Sequence, residues 1–261
     1  MIEVKNLTKK FADFVAVNDI SLHIKKGEMF AFLGPNGAGK STTIKIFTTL
    51  LAPTSGQVKI NGFDILSQQK QVRNSFGIVF QDQSLDDELT AFENMEFHGV
   101  IYNLPKNVRR QRIETFLKLV DLWERKDSLV KEFSGGMKRR LEMARGLLHE
   151  PTILFLDEPT LGLDPQTRNH IWGYIKKLNQ EKGLTVFFTT HYMEEAEKYA
   201  DRVAIIDHGV IKAEGTVAEL KNQSNSATIE ESFLQLTGYD IRDENISSAE
   251  IMRNQRKQWK R

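Results

Sequence analysis

Gly34-Pro35-Asn36-Gly37-Ala38-Gly39-Lys40-Ser41 fits the pattern G-x-x-x-x-G-K-[ST], and it stands between an apolar run, Met29 to Leu33, and a stretch with helical patterning, Lys40 to Leu51. Pattern and context agree. Glycines let a backbone bend until successive N–H groups point inward, and the N-terminus of the following helix adds its positive end. Such a loop holds phosphate oxygens. Lys40 has the reach for the β- and γ-phosphates of a nucleotide, and the Ser41 hydroxyl suits Mg²⁺, an ion that keeps several waters besides its protein ligands. The competing reading is a tight strand-to-helix turn with a solvated lysine.

Further along, Ile153-Leu154-Phe155-Leu156-Asp157-Glu158 is an apolar strand ending in two acids. A parallel sheet delivers both carboxylates to its C-terminal edge, where ligands bind in open α/β sheets. Asp157 is placed to hold Mg²⁺ through water, and Glu158 to orient or deprotonate the water that attacks a γ-phosphorus. An acidic strand end means little by itself. Beside Gly34 to Ser41 it completes the parts of a hydrolytic site.

The rest of the chain sorts around these two motifs. Alternation in Ile2 to Leu7 and Val15 to Ile24 predicts two half-buried antiparallel strands. Val58 to Ile60 and Phe76 to Phe80 read as strands flanking a short polar helix around Ser67 to Asn74. From Asp86 to Glu150 the pattern is helical throughout, with segments near Ala91 to Tyr102, Asn107 to Val120 and Ser134 to His149. Strands return at Leu184 to Thr190, Val203 to Asp207 and Val210 to Ala213, separated by helices at Pro165 to Glu181 and Tyr192 to Ala200. The expected fold is α/β, with a mixed sheet, an antiparallel β subdomain and an inserted helical subdomain. Residues 1–81 and 151–221 would form the core and 82–150 the helical subdomain, and the polar run Asn222 to Ser226 would open a linker and amphipathic tail, 222–261, in which Phe233-Leu234-Gln235-Leu236 reads as a short helix.

Thirty-six basic and 35 acidic side chains leave a formal net charge of +1, so nothing global favours nucleic acid or an anionic membrane. Zero cysteines remove disulfides and thiolate zinc sites, and fit a reducing compartment. The apolar runs fall far below the ~20 residues a spanning helix needs, and the charged N-terminus has no stretch of signal-peptide character. A cytoplasmic protein is expected.

With its motifs placed, the chain resembles the ABC ATPases, a branch of the P-loop NTPases, from Ile2 to about Leu220. Phe133-Ser134-Gly135-Gly136-Met137 corresponds to the family signature LSGGQ and opens a helix as that signature does. The resemblance implies that Gly34, Pro35, Asn36, Gly37, Ala38, Gly39, Lys40, Ser41 and Thr42 bind ATP. It implies that Phe11 stacks on adenine, that Gln81 senses Mg²⁺ and the attacking water, and that Ser41, Gln81 and Asp157 form the metal site. Glu158 would be the catalytic base, His191 would contact the γ-phosphate, and Asp164, in Leu161-Gly162-Leu163-Asp164, would lie in a dimer-contact loop. A serine cap and two glycines at a helix start offer an anion site, and the resemblance implies that Ser134, Gly135 and Gly136 meet the ATP held by a second subunit. One chain would then carry halves of two catalytic centres. Other readings stand beside these: Phe11 as a core aromatic, His191 as a helix cap, Ser134 to Gly136 as a flexible helix start. Met137 and Phe133 depart from the signature's glutamine and leucine.

Asp82 to Met95, Phe133 to Leu141 and Gly162 to Arg168 resemble the ATPases of drug and antibiotic exporters of the daunorubicin-resistance (ABC-2) type. That likeness implies a separate integral membrane permease docked beside Gln81 and the helix at Ala91 to Tyr102, a second ABC ATPase subunit that makes a homodimer or, as the other reading, a heterodimer, and a place on the inner face of the cell membrane. Apolar Phe92, Met95, Phe97, Ile101 and Tyr102 populate that region; most read as core residues at helical spacing, with a direct role in docking as the other reading. The basic stretch Arg253 to Arg261, with Trp259, reads as a lipid contact or a solvated end. Rival classes are a soluble ABC protein acting on nucleic acid or ribosomes and a nucleotide-dependent regulator. Neither a tandem cassette nor a long coiled-coil insertion appears, and no nucleic-acid partner is expected.

Overall fold

The computed structural model describes residues 1–238, so the basic stretch Arg253 to Arg261 lies outside them. In chain order the elements are β1 (Ile2–Phe11), β2 (Phe14–Ile24), β3 (Met29–Leu33), α1 (Lys40–Phe47), β4 (Ser55–Ile60), β5 (Phe63–Asp64), α2 (Gln69–Ser75) and β6 (Phe76–Val79). Then follow α3 (Ala91–Ile101), α4 (Lys106–Leu119), α5 (Gly135–Leu147), β7 (Ile153–Asp157), α6 (Pro165–Lys182), β8 (Thr185–Thr190), α7 (Met193–Tyr199), β9 (Arg202–Asp207), β10 (Val210–Gly215), α8 (Val217–Gln223) and α9 (Ile229–Thr237).

Six strands form one sheet in the order β10-β9-β3-β8-β7-β6, parallel except for β10, which returns antiparallel to β9. Its inner strands β3, β7 and β8 are buried along their whole length, as unbroken apolar runs require when both faces of a parallel sheet are covered. Side chains still alternate. Ala31, Leu154 and Phe188 enter one hydrophobic cluster, shared with the helices of residues 91–147, while Phe30, Phe155 and Phe187 enter another, shared with α1 and the second sheet.

That second sheet is antiparallel, in the order β2-β1-β4-β5. Its first hairpin runs on to Phe11 and Phe14, well past the predicted end at Leu7. Register shifts between Val4, Leu7, Lys9 and Lys10, with Asn6 and Asp19 at φ 51° each, break the period of two that marks a strand in sequence.

Residues 91–147 hold only helices among the named elements. Thr90 starts α3 with a capping box, its hydroxyl accepting from Glu93 N while the Glu93 carboxylate accepts from Thr90 N. Helix α5 approaches β6 so closely that Gly77, against the Gly146 carbonyl, has no room for a side chain.

Beyond Asn222 the polar linker is shorter than expected: α8 runs on to Gln223, and the short helix expected at Phe233 to Leu236 is present as the longer α9. Thr216 caps α8, Ser224 Oγ donates to Leu220 O at 2.8 Å, and Ile229 and Phe233 of α9 sit in the larger hydrophobic cluster. Leu234 and Leu236 of the same helix pack against that cluster as well. Among the described residues no helix is long and apolar enough to cross a membrane.

Candidate active site

The phosphate loop runs from the end of β3 into α1. Gly39 adopts φ 106°, and a side chain there would meet the Ala16 carbonyl of β2 at 2.5 Å, so only glycine fits. Lys40, 5% exposed, folds back across the loop: its Nζ donates to Gly34 O at 2.7 Å and Pro35 O at 3.1 Å and lies 3.5 Å from Glu158 Oε1. Burial lowers its pKa below 10.5, against the opposing pull of the Glu158 and Asp157 carboxylates.

Both acids reach this loop from the end of β7. Asp157 Oδ1 accepts from Ser41 Oγ at 3.2 Å and from Thr189 Oγ1 at 2.6 Å. Next in the chain, Glu158 takes the left-handed φ of 48°, and its N–H donates to Thr189 Oγ1 at 3.0 Å. The Glu158 carboxylate lies between two groups, Lys40 on one oxygen and His191 Nδ1, at 3.2 Å, on the other. Lys40, Ser41, Asp157, Glu158 and His191, drawn from three separate stretches of sequence, therefore converge at one sheet edge. Ser41 and Asp157 present hard oxygen donors side by side, the donor type Mg²⁺ prefers; the residues fit that ion.

The remaining predicted residues do not all join this group. Ser134 caps α5, accepting from Met137 N at 3.3 Å, and Ser134 and Gly135 are exposed. A side chain on Gly136 would meet the Thr167 methyl at 3.0 Å, and Thr167 donates from N and Oγ1 to the two carboxylate oxygens of Asp164 at 3.0 and 2.7 Å. Those bonds hold the Asp164 pKa below 3.8 and make Asp164 the N-cap of α6. Ser134 to Gly136 and Asp164 thus form a second group. Among the described residues no hydrogen bond or ion pair joins it to Gly34 to Thr42. Phe11 is half-buried at the tip of the first hairpin with the Lys9 ammonium 5.0 Å above its ring, and Gln81 is exposed just after β6.

Three side chains escaped the sequence reading. Thr189 bridges Asp157 and Glu158. Glu195, 6% exposed, accepts from Thr160 Oγ1 and, at 2.8 Å, from Thr190 Oγ1, tying the loop after Glu158 to the one before His191. Arg139 reaches under the acids from α5. Only the polar pair Thr189-Thr190 at the end of an otherwise apolar strand hints at any of them.

Fold and site together define a nucleoside triphosphatase with a phosphate loop and an acidic strand end. The chain belongs to the ABC transporter family, whose model, described as ABC transporter, matches residues 17–161. It is 43% identical over 237 residues to the linearmycin resistance ATP-binding protein LnrL of Bacillus subtilis (strain 168), covering 91% of this chain and 75% of that one. With the daunorubicin/doxorubicin resistance ATP-binding protein DrrA of Streptomyces peucetius it shares 41% over 225 residues, 86% of this chain and 68% of the relative. Among solved structures, an ATP-binding subunit of an ABC transporter superposes with a TM-score of 0.83 at 31% identity, covering 90% of this chain and 99% of the other. A dimeric post-hydrolysis structure of the ATP-binding cassette MJ0796, bound to ADP and Pi, gives 0.75 at 33%, over 83% and 98%. The protein is an ATP-binding and ATP-hydrolysing subunit of this family, with Mg²⁺ as its metal.

Proposed function

We propose that this chain drives an exporter of drugs, antibiotics or other amphipathic compounds, hydrolysing ATP between two copies of itself beneath a separate ABC-2 type permease on the inner face of the cell membrane. The observation that carries the catalytic part is the Glu158 carboxylate between Lys40 and His191. Lys40 binds the β- and γ-phosphates, and the backbone N–H groups of Gly34 to Thr42 take the remaining oxygens. Glu158 accepts a proton as water oxygen bonds to the γ-phosphorus and the bond to the β-bridging oxygen breaks, releasing ADP and phosphate. His191 holds Glu158 on one side and contacts the γ-phosphate on the other. Ser41 and Asp157, with Gln81, would hold Mg²⁺, which neutralises charge on the phosphate oxygens.

The sorting of the site residues into two groups supports a shared site. Ser134 and Gly135 are exposed at the start of α5, and the signature of one copy caps the nucleotide of the other. Phe11 stacks on adenine, and Asp164 lies at the seam. Once the γ-phosphate is gone, contacts to both copies are lost and the dimer opens, which is the bias that hydrolysis gives the transporter.

Docking of the permease is supported by the outer face of α3, where Phe97, Val100 and Ile101 are exposed at 64%, 52% and 58%. Phe97 and Ile101 border a cavity of about 260 Å³ lined also by Ser84, Asp86, Leu89 and Arg145. Met95, considered for docking from sequence, is fully buried and belongs to the core, and Tyr102 stacks on His149 at 3.9 Å. Solubilising membranes and capturing this chain through a tag tests the proposal. A polytopic permease should come with it, released by no ATPase mutation. Capture with ribosomes or nucleic acid and no membrane protein would refute it.

A further inference from the structure

Arg139 lies on α5, five residues past Ser134, and is 7% exposed. Its guanidinium does not point at solvent. Nε donates to Pro159 O at 2.7 Å, one terminal nitrogen donates to Glu158 O at 2.8 Å and to Asp157 O at 3.4 Å, and the other donates to Phe80 O and to Glu142 Oε2 at 3.1 Å. One side chain thus grips the backbone on both sides of Glu158 and the residue just before Gln81.

The neighbouring groups extend that grip. Glu142, 1% exposed, accepts from Ser84 N at 2.8 Å with its other oxygen, and Arg145 donates to Ser84 O at 2.7 Å. The loop after β6 is therefore tied to α5 at Phe80 and again at Ser84. A buried guanidinium costs a great deal to desolvate unless its donors are satisfied. Here its single buried carboxylate partner is Glu142, and the other donors all serve the two strand ends that carry the predicted catalytic groups.

Glu158 explains why such a clamp is needed. Its φ of 48° is a left-handed conformation in a residue with a side chain, and such backbones persist only where their surroundings over-determine them. On the N–H side Thr189 does this, through its hydroxyl at 3.0 Å and its carbonyl at 3.2 Å. On the carbonyl side Glu158 O accepts from the Arg139 guanidinium at 2.8 Å and, more weakly, from Leu161 N at 3.3 Å.

We propose that Arg139 is a positioning residue for ATP hydrolysis: it fixes the strained backbone of Glu158 from the carbonyl side and joins it rigidly to α5, so that movement of Ser134 to Gly136 against a partner's nucleotide shifts the base. This rests on the reading of Glu158 as the general base. Arg139 touches neither Lys40 nor Ser41 by any hydrogen bond or ion pair the structure gives, so nucleotide binding in the same chain does not need it, whereas placement of the Glu158 carboxylate does.

Arg139→Met, Arg139→Lys and Glu158→Gln are compared in the full chain by melting temperature, affinity for the ATP analogue AMP-PNP with Mg²⁺, and steady-state kcat and KM. Both Arg139 variants should keep AMP-PNP affinity within about twofold and lose kcat by about 10- to 100-fold, the scale set by a 1 Å misplacement of a catalytic group. Lysine should recover part of the loss, since it keeps the charge beside Glu142 but cannot span Phe80 O and Glu158 O together. If Arg139→Met does not fold, Arg139→Lys decides alone. Parent kcat in Arg139→Lys and Arg139→Met, or a fall in kcat matched by an equal fall in AMP-PNP affinity, overturns the proposal. If Glu158→Gln itself hydrolyses at the parent rate, it is the reading of Glu158 that fails.

Discussion

Lys40 Nζ and Glu158 Oε1 lie 3.5 Å apart, with 5% and 9% of their side chains exposed. One residue comes from the first turn of α1 and the other from the end of β7, so the pair spans the mouth of the phosphate loop. Opposite charges this deeply buried stabilise each other's ionised form while both lose hydration. The pairing therefore sets the proposed general base directly beside the proposed phosphate-binding lysine.

Glu158→Gln should preserve the shape of the site and remove its proton acceptor. Turnover measured by phosphate release should fall ~10²- to 10⁴-fold, the range for loss of a general base, with ATP still bound. Lys40→Ala should instead abolish ATP binding in an equilibrium assay. Parent affinity in that variant would exclude the lysine from phosphate contact.

Asp157→Asn keeps the bond from Thr189 Oγ1 within reach and halves neither volume nor shape, yet it removes the negative charge beside Ser41. The Mg²⁺ concentration giving half-maximal turnover should rise by about tenfold or more, as expected where one carboxylate supplies much of the hold on a hard cation. An unchanged Mg²⁺ dependence would remove Asp157 from the metal site.

Away from the site, His98 and His149 have pKa values lowered from 6.5 to about 3 and about 4, in each case chiefly by burial. Between 6.5 and those values the unfolded chain binds protons that the folded chain refuses. Stability is therefore full above pH 6.5 and declines as pH falls toward about 4 and then about 3. His98→Phe keeps an aromatic ring against Tyr102, whose centroid lies 4.9 Å away, and should flatten the loss of urea midpoint between pH 7 and pH 5. An equal slope in the parent and in His98→Phe would show that this histidine does not titrate as its burial requires.

Phe97→Asp and Ile101→Asp alter residues that are already in solvent. ATPase activity of the isolated chain should stay within about twofold, since surface changes away from such features usually cost little. Recovery of the permease on a tagged chain should drop sharply. Full recovery with both substitutions would move the docking surface elsewhere.

Much of this was legible before any coordinates. Gly34 to Ser41 and Asp157-Glu158 are local patterns whose chemistry is fixed by spacing, and the runs at β3, β7 and β8 declare a sheet covered on both faces. Arg139 was not legible, because Lys138-Arg139-Arg140 looks like a solvated charged face. In the fold none of the three is exposed, and where α5 approaches β6 closely, at Gly77 and Gly146, the buried Arg139 reaches Phe80 O. A short helix at Phe233 to Leu236 was legible, but its start at Ile229 and its packing were not, because burial there comes from distant residues that no local window contains.

Whether a nucleotide bridges two copies is decided most directly by light scattering on Glu158→Gln with saturating Mg-ATP. Nothing lies within 4 Å of the place where a side chain on Gly135 would begin, so Gly135→Asp fits the free chain while setting a negative charge before a partner's phosphates. Glu158→Gln should give a particle of twice the chain's mass with ATP and the single mass without it, and adding Gly135→Asp should restore the single mass with ATP still bound. ATP-loaded Glu158→Gln that stays at the single mass, at concentrations saturating for nucleotide, would contradict a shared site.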